Sequence, residues 1–410
     1  MKQSQHLDET VRLWLGLRTD SADEVPQLPE QLARLVLRRE EYEQQHRDQW
    51  GCWEFSFSES FRRGALWEPE VDRWLAARRR ELSRQVELEP LWPDGRAFAL
   101  CMSHDVDLLS RVSTARQVLR SVRTSLTDEP KTVRERLVRA ARPGVRVARS
   151  LYNGISTAPV ADTLERSVEL ERERGVTASY FFTVYPGGDA SRFDCLYRYE
   201  DACRFRGERV RVRDVVRTLR DEGFDVGLHG SYNSALAPGM LARERATLEA
   251  ALDADVTTTR QHFLHWDVRT TPHEQAQAGL RADSSLGFNR NLGYRAGTSL
   301  PFRFYDVERE ERLDLLELPL LVHDGALLRP DALELDVPLA REAIRQFIDT
   351  AAETNGVATL IFHPNNLERD DYLELFRFAL DHGLERGAWF ASVRDLDEWW
   401  RGREARVLRR

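Results

Sequence analysis

The chain has 410 residues, 41% hydrophobic and 31% charged, with a formal net charge of -8. That balance fits one large globular domain with an extension, and the mild acidity argues against wholesale nucleic-acid binding. No apolar run approaches the roughly 20 residues that span a bilayer, and the polar N-terminus has no apolar signal core, so a cytoplasmic location is expected.

Residues 1–95 have a helical pattern, with Leu32, Leu35 and Leu37 and then Val71, Trp74 and Leu75 at helical spacing. They are expected to form an N-terminal helical extension packed on the main domain, with Trp50 and Trp53 in its core. From residue 96 the pattern changes to alternation. Apolar runs at 97–102, 178–184, 224–229, 258–264, 314–318, 357–362 and 388–392 read as strands. Helical patterns at 161–174, 211–222, 239–252, 338–354, 370–384 and 393–401 separate most of them. Alternation of this kind predicts an α/β domain over 96–401, a parallel sheet with crossover helices, as a barrel or an open sheet. In either form ligands bind at the carboxyl ends of the strands. One segment interrupts the pattern: residues 110–150 carry eleven Arg or Lys and three acids. It reads as a basic helical insertion, split near Thr127–Pro130. It is either simply solvated or suited to peripheral contact with an anionic membrane face or a phosphate-bearing substrate. The four cysteines, Cys52, Cys101, Cys195 and Cys203, show no metal-knuckle spacing. Cys101 lies in an apolar run and reads as a packed thiol; Cys195 and Cys203 could approach each other across a loop.

The polar residues that could carry chemistry fall where the strand runs end. Ser103-His104-Asp105-Val106-Asp107 follows the run Ala97–Met102. Residues two apart on a strand point the same way, so Asp105 and Asp107 can present two carboxylates to one spot. Such a pair repels unless a positive charge sits there, and a divalent metal would leave one carboxylate free as a base. A pair of solvated loop acids or a helix cap is the alternative. His229 closes Phe224–Leu228, His262 lies in Arg260–Leu264 with His265 just beyond, and His363 closes Leu360–Phe362. Strand ends meet at one face, so these side chains could meet too.

In these motifs the sequence resembles the polysaccharide deacetylase family, the NodB-homology or carbohydrate esterase family 4 group, over roughly 96–400, about three quarters of the chain. Ser103–Asp107 matches its Thr/Ser-x-Asp-x-Asp block, and Gly175–Phe182 its Gly-Val-x-Ala-x-Phe-Phe strand. Leu360–Pro364 matches its Leu-x-x-His-Pro block. The resemblance implies a distorted (β/α) barrel of about seven strands. It further implies one divalent metal, zinc first, with cobalt, nickel or manganese as alternatives. On the same grounds Asp105 is the general base, Asp107 and His229 are metal ligands, Arg260 orients the base and His363 is the general acid. The second metal motif, His-Ser/Thr-x-x-His in the family, reads His229-Gly230-Ser231-Tyr232-Asn233 here. Its second histidine is therefore Asn233, so the third ligand is Asn233, His262 or His265, with His262 the first candidate. Blocks at Arg260–Leu264, Ala282–Gly287 and Gly293–Thr298 match a sub-group carrying this variant. Asp283, Arg295 and Glu317 are the expected substrate contacts, Asp283 with a turn or helix cap as its other reading. The implied substrate is an N-acetylated amino sugar in a polysaccharide or in its lipid- or nucleotide-linked precursor. Hydrolysis of another non-peptide amide, or carbohydrate binding by a lapsed site, are the rival readings.

Overall fold

The structure, a computed structural model, describes residues 2–19, 24–44, 46–109, 115, 118–120, 123, 144, 148 and 162–408. Most of the basic 110–150 insertion therefore lies outside the described residues. Of it, Arg120 pairs with Asp201 at 2.6 Å.

The strands are β1 (Ala99–Val106), β2 (Ser179–Thr183), β3 (Ala202–Phe205), β4 (Glu208–Arg211), β5 (Asp225–Gly230), β6 (Thr258–Gln261), β7 (Ala282–Asp283), β8 (Phe302–Asp306), β9 (Glu311–Glu317), β10 (Val322–His323), β11 (Val357–Ile361) and β12 (Trp389–Phe390). Ten form one sheet in the order β10-β11-β1-β2-β5-β6-β7-β9-β8, with β12 on β1; β3 and β4 form a separate hairpin. The path from β10 to β9 is parallel throughout, and only β8 runs antiparallel, against β9. This is the expected α/β fold on a mostly parallel sheet. The six expected helices all form, the last extending to Leu408. Four strands escape the sequence pattern besides the hairpin's second arm: β3, β7, β8 and β10. Two of them, β7 and β10, are only two residues long, too short for any periodicity to register.

Alternation along the strands explains where polar residues can stand. On β1, Leu100, Met102 and Val106 join the cluster made with the crossover helices, whereas Ala99 and Cys101 face a second cluster. Helices such as Val212–Asp221 supply the first, burying Val212, Val215, Val216 and Leu219 at helical spacing. The second face is tight at Gly227. A Cβ on Gly227 would come within 2.5 Å of the Phe181 ring. Ser103 and Asp105 share the parity of Ala99 and Cys101, so the strand delivers polar groups to this face at its carboxyl end.

The N-terminal helices complete that second cluster. Val11, Trp14, Leu15, Val71 and Trp92 pack with Ala99, Cys101 and Phe181. Trp14 Nε1 donates to the Pro301 carbonyl at 2.8 Å. The helix Gln3–Leu15 stops at Gly16, in the left-handed region at φ 76°, where a Cβ would strike the Glu89 carbonyl at 2.4 Å. Trp53 is buried as expected, but Trp50 is half-buried, with the Arg329 guanidinium 5.6 Å above its ring. No helix among the described residues is long and apolar enough to cross a membrane.

Candidate active site

β1 runs four residues beyond the apolar stretch that marks it in the sequence, so Asp105 lies within the strand and Asp107 just past its end. Asp105 Oδ1 is 3.2 Å from Arg260 Nη1. That guanidinium is fixed on every side. Nη1 donates to Ser103 Oγ at 2.8 Å, Nε to the Ser284 carbonyl at 2.7 Å, and Nη2 to Ser284 Oγ at 2.8 Å. Its plane lies 4.7 Å over the Phe181 ring. A buried guanidinium held this way fixes the orientation of the carboxyl beside it.

Asp107 is the meeting point. Its Oδ1 lies 3.4 Å from His229 Nε2 and 3.5 Å from His262 Nε2, and its Oδ2 lies 3.9 Å from His363 Nε2. Burial alone would raise its pKa, but His262, His229 and His363 together hold it well below the usual carboxylate range. His229 comes from β5, and its Nδ1 lies 2.9 Å from the Arg260 carbonyl. A carbonyl only accepts, so Nδ1 carries a proton, and Nε2 is the atom that faces Asp107. That buried nitrogen has no hydrogen-bond partner among the described residues.

His262 follows β6 and starts a turn in which Phe263 and Leu264 are both left-handed, at φ 60° and 49°. Two consecutive non-glycine residues in that region are costly and need outside support. Asn289 Nδ2 donates to the Phe263 carbonyl at 2.6 Å, and Cys52 Sγ reaches the same oxygen at 3.1 Å. The N-terminal segment thus holds the turn that presents His262.

The donor chemistry fits a divalent cation. Tetrahedral coordination with bonds near 2.0–2.1 Å sets oxygen–nitrogen edges of about 3.3 Å. The separations at Asp107 are close to that edge and too long for good charge-assisted hydrogen bonds. Ligand atoms of Asp107, His262 and Cys195 all lie within 4.8 Å of one another.

His363, after β11, is oriented by Asp324. Its Nδ1 lies 2.7 Å from Asp324 Oδ1, and Asp324 Oδ2 accepts from His363 N at 2.8 Å and Asn366 Nδ2 at 2.9 Å. Burial would lower the His363 pKa, but the charges of Asp324, Asp107 and Asp105 outweigh it and lift it to about 10. His323 lines the same cleft, its ring 5.2 Å from that of His363. Burial first, then His363, push its pKa down to about 4. The sequence reading missed both His323 and Asp324. The signal was there: Leu320-Leu321-Val322 followed by His-Asp repeats the strand-end pattern of the other motifs. Asp105, Asp107, His262, His363, Asn289 and Arg329 are among the residues lining an open cleft of about 670 Å³, part of it solvent.

Five expected site residues lie elsewhere. Asn233 is exposed, begins a short turn after β5, and donates its Nδ2 to the Asp189 carbonyl at 3.0 Å. Its place near the carboxylates is taken by His262. His265 stacks on Tyr232, ring centroids 4.1 Å apart, with Nδ1 2.7 Å from the Tyr232 carbonyl. Asp283, Arg295 and Glu317 are fully buried and do not line the cleft. Arg295 makes a two-pronged pair with Glu41, at 2.8 and 2.7 Å, and Arg38 Nε joins at 3.0 Å. Asp283 and Glu317 face each other in register on β7 and β9. Burial is the main reason that Asp283 is raised to about 6 and Glu317 well above its ordinary value. Each closes its strand, and the N-terminal segment reaches this region through the Glu41–Arg295 pair. Cys195 and Cys203 are free thiols, not a bridge.

No protein-family model matches the chain, and no curated protein matches it significantly. Among solved structures it is similar to a protein from Mycobacterium smegmatis assigned as a polysaccharide deacetylase. Identity is 19% and the TM-score 0.50, over 78% of this chain and 96% of that one. It also aligns with the Puue allantoinase, at 14% identity and TM-score 0.44 over 78% and 95% of the two chains. The polysaccharide deacetylase Bc1974 from Bacillus cereus aligns at 10% identity and TM-score 0.33, over 72% and 91%. The first of these likenesses shows a fold shared with that protein.

Proposed function

We propose that the protein is a metal-dependent hydrolase that removes the N-acetyl group of an amino sugar, in a polysaccharide or in its lipid- or nucleotide-linked precursor. The observation that carries this reading is convergence. Asp105, Asp107, His262 and His363, spread over some 260 residues of sequence, line one cleft at the carboxyl ends of three parallel strands, and His229 reaches Asp107 from a fourth. The shared fold and the motif resemblance point the same way.

Asp107, His229 and His262 would hold the ion. When bound, a divalent cation supplies Lewis acidity toward the acetamide carbonyl and toward the attacking water. The remaining work falls to the chain. Asp105, held at its Oδ1 by Arg260, takes a proton from the water through its carboxylate. His363 has its Nδ1 committed to Asp324, so Nε2 is the atom that gives a proton to the departing amine. Neither step needs a serine or cysteine nucleophile.

The test is a substrate panel on protein stripped by chelator and reloaded with zinc or cobalt. Acetate should be released from N-acetylated sugars, only in the reloaded protein, and not from simple aliphatic amides. Release that survives chelation would sink the metal; turnover of simple amides alone would sink the sugar.

A further inference from the structure

Asp107 Oδ1 has a third neighbour of metal-binding type. Cys195 Sγ lies 3.8 Å from it, alongside His229 Nε2 at 3.4 Å and His262 Nε2 at 3.5 Å. A zinc–sulfur bond near 2.3 Å and a zinc–oxygen bond near 2.0 Å at the tetrahedral angle place sulfur and oxygen about 3.5 Å apart. The thiol thus stands close to ligand spacing from the same carboxylate oxygen as the two imidazoles. Cys195, Asp107 and His262 are moreover mutually within 4.8 Å. His229 adds an independent pointer to a ligand: its Nε2 is buried, faces Asp107, and has no hydrogen-bond partner among the described residues.

The sulfur is also held in place from both sides. Asp194, just before it, accepts from Tyr232 N at 2.7 Å and Ser191 N at 2.7 Å. Tyr197, two residues after it, donates its hydroxyl to the Val106 carbonyl at 2.7 Å, one residue from Asp107. The chain on each side of Cys195 is therefore tied to the same strand ends that carry Asp107 and His229. A merely space-filling thiol needs no such register.

We infer that Cys195 is a ligand of the cation, beside Asp107 and His262. This rests on the metal centre proposed above. Binding forms a sulfur–metal bond and releases the S–H proton to solvent; nothing is oxidised or reduced. Asp107, His262 and Cys195 are mutually close enough to share one ion, and a place would remain for His229 or water. A thiolate also biases the site toward zinc or cobalt and away from manganese or magnesium.

Cobalt reports the sulfur directly. Stripped full-length protein reloaded with cobalt(II) should show visible ligand-field bands together with a near-ultraviolet thiolate-to-cobalt charge-transfer band. Cys195→Ser should lose the charge-transfer band and bind cobalt roughly 100-fold more weakly, at or beyond the upper end of what removing an outer-sphere partner costs. Cys203→Ser, checked for folding by circular dichroism, should keep the band. Zinc-edge X-ray absorption on the wild type, which needs no variant, should show one sulfur near ~2.3 Å. Ligand-field bands without the charge-transfer band, an unchanged spectrum in Cys195→Ser, or a first shell of nitrogen and oxygen alone would overturn the thiolate and leave the metal centre standing. Failure to take up one equivalent of cobalt would overturn both.

Discussion

Two groups of charged residues sit among the strands, and they differ in how completely their bonding capacity is used. In the closed group, Glu41 is gripped by Arg295 and Arg38, with all three side chains at 1–2% exposure. Burial opposes the Glu41 charge, but Arg295 and Arg38 hold its pKa down to about 2. In the open group, Asp107 and His363 are 25% and 15% exposed, and the separations at Asp107 run from 3.4 to 3.9 Å. Saturated charge is structural: it joins the N-terminal segment to the 287–298 loop. Charge left at ligand spacing, facing a cleft, is held ready for something to enter.

The largest effects should fall on opposite observables in the two groups. Asp105→Asn should lower kcat by about 10²–10⁴, the range for removing a general base. It should leave the urea midpoint and the metal content almost unchanged. Glu41→Ala leaves two guanidiniums buried without their partner and should cost on the order of 3–5 kcal/mol of stability. What remains folded should keep the wild-type kcat. Urea unfolding and active-site-normalised kinetics on both variants decide it. An inactive but stable Glu41→Ala, or an unfolded but metal-replete Asp105→Asn, would erase the distinction.

The Asp283–Glu317 pair gives a smaller effect with a definite sign. Both carboxyls have folded pKa values above their ordinary ones, Asp283 at about 6, chiefly through burial. The folded state therefore binds more protons than the unfolded one. The stability contribution is complete below the unfolded carboxyl pKa near ~4 and falls away as pH rises through about 6 and beyond. Glu317→Gln removes one charge and the repulsion it exerts on the other. Measured by urea titration between pH 5 and pH 8, it should flatten this decline and gain on the order of 1–3 kcal/mol at the upper end. A variant with the wild-type slope would show that the Glu317 carboxyl does not drive the decline.

How much of this was legible in the sequence follows from range. Asp105 and Asp107 were readable because strand parity is local, and Arg260 because its block has a fixed relation to β6. His262 could be named only as a candidate, since its ring reaches Asp107 through two left-handed residues that no propensity foretells. Asp283, Arg295 and Glu317 are expected as substrate contacts, yet all three are buried away from the cleft. A segment some 250 residues earlier in the chain, carrying Arg38 and Glu41, ties up Arg295, and local sequence pattern holds no trace of that contact. Trp50 failed for the mirror-image reason: an aromatic in a helical stretch reads as core until the cleft beside it is seen.

The smallest expected effect tests the substitution of one ligand for another. Asn233 stands where the resemblance calls for a metal-binding histidine, yet its side chain is exposed and bonded to the Asp189 carbonyl. Removing an exposed group of that kind changes stability by about 0.5 kcal/mol or less. Asn233→Ala should therefore bind zinc as the wild type does and turn over at the same rate. His262→Ala should lower zinc affinity by roughly 100-fold or more, since an inner ligand matters at least as much as an outer partner. Competition against a chromophoric chelator measures both. Were Asn233→Ala to lose the metal and His262→Ala to keep it, the turn after β5 would have to fold back over Asp107, and the open group would have to be rebuilt around a different third ligand.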